Sequence, residues 1–220
     1  MIGGRFIVVE GIDGAGSTTL ASRLAEQWRS ERRPVHQTCE PSSGPIGALI
    51  RQVLSRRLVT PTEFGAVPLG WAEMALLFAA DRIDHLESEI LPLLRDGITV
   101  VCDRYDLSSL TYQVATATPG ASDEMEQVVG WVRELNRRAR RPDFTIVLDV
   151  DPEVAARRRR ARGFGKELYE DVELQTRLAA AYANAESLVI GDRLVHIDGN
   201  GSVESVVVAA TQELHKLDAP

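Results

Sequence analysis

A glycine-rich turn near the start of the chain restricts its possible folds more than any other segment. Arg5–Glu10 (RFIVVE) is a short apolar, β-branched run, and Gly11-Ile12-Asp13-Gly14-Ala15-Gly16-Ser17-Thr18 follows it directly. From Thr18 to about Arg32, Leu20, Leu24 and Trp28 recur at helical spacing. The segment therefore predicts a buried strand, a tight turn and a helix. Glycines leave room for backbone N–H groups to point inward, and the helix adds its positive end, so the turn can cradle phosphate oxygens. The pattern is G-x-x-x-x-G-K-[ST] with one departure: Ser17 stands where the pattern has lysine. Gly11, Asp13, Gly14, Ala15, Gly16, Ser17, Thr18 and Thr19 are the predicted nucleotide contacts, with the Thr18 hydroxyl placed for Mg²⁺. A strand-to-helix turn without a ligand is the other reading of the same residues.

The rest of the chain repeats the alternation. Strands are predicted at Val35–Thr38, Ile98–Cys102, Phe144–Val150 and Leu194–Ile197. Helices are predicted at Gly47–Leu58, Leu69–Arg95, Ser122–Arg140, Pro152–Arg162, Tyr169–Ser187 and Val203–Leu217. Several strands lack polar alternation, as expected when both faces are covered. The expectation is an α/β fold: a five-stranded, mostly parallel sheet with helices on both faces, a three-layer sandwich over residues 1–220 in one domain.

Bulk properties narrow the function. The 220 residues are 44% hydrophobic and 26% charged, which fits a folded chain with a sizeable core. A net charge of -7 argues against general nucleic-acid binding, yet allows a small basic pocket for one anionic ligand. Cys39 and Cys102 make neither a disulfide framework nor a zinc pattern. Cys102 ends an apolar run and reads as a buried thiol. There is no signal-peptide pattern at Met1–Arg5 and no run near the ~20 apolar residues of a membrane span, so a reducing, cytoplasmic location is expected. His36, His85, His196 and His215 are scattered and read as structural or exposed.

A second cluster lies at Asp103-Arg104-Tyr105, just past a predicted strand. In a parallel sheet that end faces the ligand crevice. An Asp there can hold Mg²⁺ and an Arg can grip a phosphate, although a surface pair capping the next helix would look the same. If the following segment is helical, Ser109, Tyr112 and Gln113 share a face, at i, i+3 and i+4. Phe78 and Arg82, also i and i+4, could stack on and hydrogen-bond a base; a buried Phe beside an outward Arg is the alternative.

Taken together, V-E-G-I-D-G-A-G-x-T-T, Glu40-Pro41, F-A-A-D-R at Phe78–Arg82, D-R-Y-x-x-S-S-x-x-Y-Q at Asp103–Gln113 and R-P-D-x-x-x-x-L-D-V at Arg141–Val150 resemble thymidylate kinases. The resemblance runs from about Phe6 to Tyr182, in the family's order and spacing. It implies a P-loop NTPase-type fold, transfer of the terminal phosphate of ATP to dTMP with Mg²⁺, and a homodimer. Neither a nucleic acid nor a membrane is an expected partner.

The resemblance also implies roles. Phe78 would stack on thymine and Arg82 would bond its carbonyl. Ser109 and Gln113 would face the base, and Tyr112 would sit under the sugar. Arg104 would hold the dTMP phosphate, with Arg51 a second candidate. Asp13 and Glu40 would line the acceptor side, and Asp103 would join the Mg²⁺ shell with Thr18. A mobile lid at about residues 157–170 would carry Arg157, Arg160, Arg162 and Lys166 over ATP, hinged near Gly163 and Gly165. Tyr169 and Glu170 would fold down near the nucleoside. Two departures stand out: Ser17 for the P-loop lysine, and Cys39 where many relatives have Arg. The first admits a rival reading, a nucleotide-binding homologue with little kinase activity; a kinase for another deoxynucleotide is a third.

Overall fold

Ile7 and Val9 of the first strand enter one core cluster, while Phe6 and Val8 enter another. Successive strand side chains point to opposite faces, so an apolar run without alternation requires cover on both sides. The computed structural model describes residues 4–63, 65–117, 122–162, 169 and 171–218, and shows that cover. The strand is β1 (Phe6–Gly11), buried throughout. It leads to α1 (Ser17–Ser30), β2 (Val35–Cys39) and α2 (Pro45–Leu54). A small hairpin follows, β3 (Thr60–Thr62) and β4 (Gly65–Val67), then α3 (Trp71–His85), a π-helical turn at Leu86–Ile90 and α4 (Leu91–Arg95). Next come β5 (Thr99–Asp103), α5 (Asp106–Ala117), α6 (Ser122–Leu135) and β6 (Phe144–Asp149). The chain continues through α7 (Pro152–Arg162), α8 (Val172–Tyr182), α9 (Ala185–Leu188), β7 (Leu194–Asp198) and α10 (Val203–Asp218).

The main sheet has the order β2-β5-β1-β6-β7, with every pairing parallel. The chain runs through β2 and β5 on one side of β1, then crosses to β6 and β7 on the other. Open parallel sheets bind ligands at the carboxyl ends of the strands where the order reverses in this way. Here that end brings β1 and β5 together, with Val9 in register with Asp103.

Several elements differ from the sequence expectation for identifiable reasons. The long helix predicted over Leu69–Arg95 starts at Trp71 and widens into the π turn before Pro92. Proline has no N–H and its ring crowds the carbonyl four residues back, and a widened turn relieves both. Helix α2 begins at Pro45, where the missing N–H costs nothing. The segment predicted as one helix over Tyr169–Ser187 divides into α8 and α9; Asp171 caps α8 by accepting from Leu174 N–H at 3.1 Å. The β3–β4 hairpin is exposed on both strands, so no buried alternation announced it. Among the described residues no helix is long and apolar enough to cross a membrane.

Candidate active site

The cradle is built by backbone conformation. Gly11, Gly14 and Gly16 have φ of 154°, 89° and 104°, values that L side chains rarely adopt. Gly16 precedes α1 and no side chain caps that helix, so its first N–H groups remain available to an anion. A Cβ added at Gly16 would meet nothing within 4 Å, which marks the open side of the loop.

Thr18, in the first turn of α1, meets Asp103 at the end of β5, its Oγ1 donating to Asp103 Oδ2 at 2.5 Å. Asp103 Oδ1 is buried without a hydrogen-bond partner. A buried acceptor lacking a donor is costly unless something supplies positive charge. A carboxylate beside a threonine hydroxyl is an oxygen donor set of the kind Mg²⁺ takes.

Arg104 follows in a left-handed conformation, φ 72°, with its N–H bonded to Val9 O at 2.9 Å. Its Nη2 pairs with Asp13 Oδ1 at 2.7 Å, and its Nη1 reaches Ser108 Oγ at 3.3 Å and Tyr182 OH at 3.5 Å. Beneath it lies Glu10, fully buried at the end of β1. The Glu10 carboxylate accepts from Tyr105 N–H (2.8 Å), Ser108 N–H (3.2 Å), Ser108 Oγ (2.6 Å) and Tyr182 OH (3.0 Å). Burial pushes the Glu10 carboxyl up to about 7, against the lowering by Ser108, Arg104, Tyr105 and Tyr182.

A cavity opens beside Arg104 and Asp13. Phe78, Arg82, Ser109, Tyr112, Gln113 and Tyr169 line it, with Glu40 at its edge. The i, i+3, i+4 face of α5 is therefore the face that the spacing predicts. Tyr112 and Tyr169 meet edge to face at 5.4 Å. Arg82 is the most constrained of these groups. Its Nη2 donates to Glu40 Oε2 (2.6 Å), Tyr105 O (3.1 Å) and Ser109 Oγ (3.2 Å), and its Nη1 to Asn136 Oδ1. Only Arg82 Nε lacks a partner, and Gln113 Oε1 is a buried acceptor that also lacks one.

The family model described as Thymidylate kinase matches residues 9–209. The chain belongs to the thymidylate kinase family. It is 38% identical over 204 residues to a probable thymidylate kinase of Pyrococcus abyssi, covering 92% of each chain. It is 36% identical over 203 residues to one of Staphylothermus marinus, covering 92% of this chain and 90% of the relative. It is 40% identical over 178 residues to one of Pyrobaculum aerophilum, covering 80% of each. The family is one of nucleoside monophosphate kinases.

The structure of this thymidylate kinase family member sorts the remaining predicted residues. Arg51 does not line the cavity; its Nη1 binds Pro41 O at 2.9 Å and Ser42 O at 2.6 Å, strapping the loop that carries Glu40. Cys102 is buried and Cys39 exposed, both as free thiols. His85 is buried 3.6 Å from Glu40, His36 and His196 pair with Glu89 and Asp149, and His215 is exposed. On α7, Arg157 and Arg160 are exposed. The side chain of Arg162, and Gly163, Gly165, Lys166 and Glu170, lie outside the described residues. Among the described side chains of α7, those that reach the cradle are Arg158, on Ala15 O at 3.1 Å, and Arg159, on Asp13 O.

Glu10, Tyr182, Gln175, Arg158 and Arg159 were absent from the predicted set. One of these, Glu10, carries a readable signal. An acid at the end of an all-apolar strand is a buried carboxylate in waiting. Ala155 is wholly buried, so Arg158 and Arg159, at i+3 and i+4, share its inward face. Tyr182 and Gln175 come from a distant helix, and nothing local predicts their arrival.

Proposed function

We propose that this chain transfers the γ-phosphoryl group of ATP to the phosphate of dTMP, with Mg²⁺ held by Thr18 and Asp103. The observation that carries this reading is the junction at Arg104–Asp13. On one side lies a cradle built for a polyphosphate, and on the other a pocket built for a planar base.

The unpartnered groups suit thymine. Arg82 Nε is a donor and Gln113 Oε1 an acceptor. Thymine offers a carbonyl acceptor beside an N–H donor, the complementary order. Cytosine presents an amine donor beside a ring acceptor, which would set donor against donor and leave buried groups unpaired. Phe78 supplies a face for stacking, and Tyr112 a surface for the deoxyribose.

Phosphoryl transfer asks the protein for alignment and charge neutralisation. Arg104 holds the acceptor phosphate, and its ion pair with Asp13 sets the guanidinium over the cradle. When bound, Mg²⁺ would neutralise charge on the donor's terminal phosphates. Residues 157–170 are read as the segment that closes over ATP and excludes water. A silent nucleotide binder is disfavoured by the intact acceptor pocket and the family relation.

The test is an initial-rate panel with ATP, Mg²⁺ and dTMP, dUMP, dCMP or AMP. We expect kcat/KM for dTMP to exceed that for dCMP and AMP by about 10²-fold or more. A preference for dCMP or AMP would overturn the pocket assignment.

A further inference from the structure

The cradle of this chain contains no cation. Residues 11–19 read G-I-D-G-A-G-S-T-T, and Ser17, at the usual lysine position, is buried. A polyphosphate in this loop would need its charge met from another element.

Helix α7 lies directly against the loop. A Cβ added to Gly14 would fall 2.5 Å from Ala155 O and 3.0 Å from Arg159 Cγ. Arg159 Nη1 donates to Asp13 O and lies 3.5 Å from Gln175 Oε1. Among the described residues Arg159 forms no ion pair, and its side chain is only partly exposed. The nearby carboxylate of Asp13 is already met by Arg104 at 2.7 Å and by Gln175 Nε2 at 3.1 Å. Arg159 therefore brings a positive charge to the cradle that no carboxylate among the described residues offsets. Its field falls on whatever anion the loop holds.

Its neighbour is differently engaged. Arg158 spreads its guanidinium over Ala15 O (3.1 Å), Asn200 O (3.3 Å) and Gly201 O (3.2 Å), tying the cradle to the loop before α10. Arg157 and Arg160 face solvent on the same helix.

We propose that Arg159 supplies, from α7, the cation that this cradle lacks at Ser17, contacting the β- and γ-phosphates of the bound nucleoside triphosphate. The inference rests on the functional reading above and assigns the role to one side chain. It makes Arg159 a catalytic residue whose contribution a cation at position 17 can replace. A purely packing role, with the stem against Gly14, could not be replaced that way.

The test uses the full chain as wild type, Arg159→Met, Arg159→Lys and the double variant Arg159→Met/Ser17→Lys. Methionine keeps the stem and removes the charge. We expect Arg159→Met to lower kcat about 10²-fold while the melting temperature shifts little. Adding Ser17→Lys should recover about tenfold or more, and Arg159→Lys should stay within about tenfold of wild type. An Arg159→Met protein within about threefold of wild-type kcat overturns the proposal, as does a loss that Ser17→Lys does not recover. If Arg159→Met folds poorly, the lysine variant decides: activity about 10²-fold down in a folded Arg159→Lys protein also overturns it. Wild type without turnover would instead overturn the functional reading. The inference is then read from affinity for a non-hydrolysable ATP analogue. About tenfold weaker binding by Arg159→Met, restored by Ser17→Lys, supports it, and equal affinities overturn it.

Discussion

Arg82 and Glu40 form an ion pair at 2.6 Å with side-chain exposures of only 1% and 2%. Removing one member of such a pair strands the other charge in a low dielectric, which typically costs about 3–5 kcal/mol. Arg82→Ala should therefore destabilise the fold by about that amount, before any effect on substrate is read. Arg82→Ala combined with Glu40→Gln should cost less than the sum of the two single changes, because no bare charge remains. Denaturant unfolding of the four proteins measures the cycle. A loss under about 1 kcal/mol for Arg82→Ala would show that the pair is not structural.

Arg104 is different in kind. Its partner Asp13 is about a third exposed, so the unpaired carboxylate is solvated when the arginine is removed. Arg104→Ala should change the melting temperature little and lower kcat/KM by about 10³-fold, since the acceptor phosphate loses its alignment. Near-normal turnover in a folded variant would remove Arg104 from the site.

Glu10 should be visible as a pH dependence of stability. Its folded-state carboxyl is raised from 4.5 to about 7, chiefly by burial. The protonated form is thus favoured in the folded protein. Its contribution is fully present below 4.5 and is lost as pH rises through 7, as the unfolded chain ionises first. The shift corresponds to roughly 3 kcal/mol across that window. Glu10→Gln cannot ionise and should remove that slope. Urea unfolding at pH 5 and pH 8 compares the two, and parallel pH profiles would refute the assignment.

Gly14 tests the contact between α7 and the cradle. Its φ of 89° strains any L side chain, and a Cβ there would meet Ala155 O at 2.5 Å. Gly14→Ala should cost about 1–2 kcal/mol from backbone strain alone, more if α7 is displaced, and should raise the KM for ATP more than that for dTMP. An unchanged KM for ATP would mean that the helix can move without disturbing the nucleotide.

Local chemistry was enough to place the scaffold. Strand β1 needs burial on both faces because each of its residues is apolar or takes an internal partner, and its glycines dictate the turn that follows. The α5 face bearing Ser109, Tyr112 and Gln113 follows from helical period alone, and all three line one cavity. Such features depend on neighbours within a few residues, so they can be read in order along the chain.

What the tertiary structure decided is which charges meet. Asp13 gathers Arg104, Gln175 and, through its carbonyl, Arg159 from three separate helices or strand ends. Four consecutive arginines, Arg157–Arg160, are indistinguishable by composition, and only the packing of Ala155 against the loop turns two of them inward. Arg82 carries the same lesson: its spacing with Phe78 places both on one helix face, and both line the cavity. Only the arrival of Glu40, Asn136 and Ser109 left it a single unpartnered nitrogen there. Burial and partner identity are properties of contacts between distant segments, and those contacts set how much of each charged group is left for a ligand.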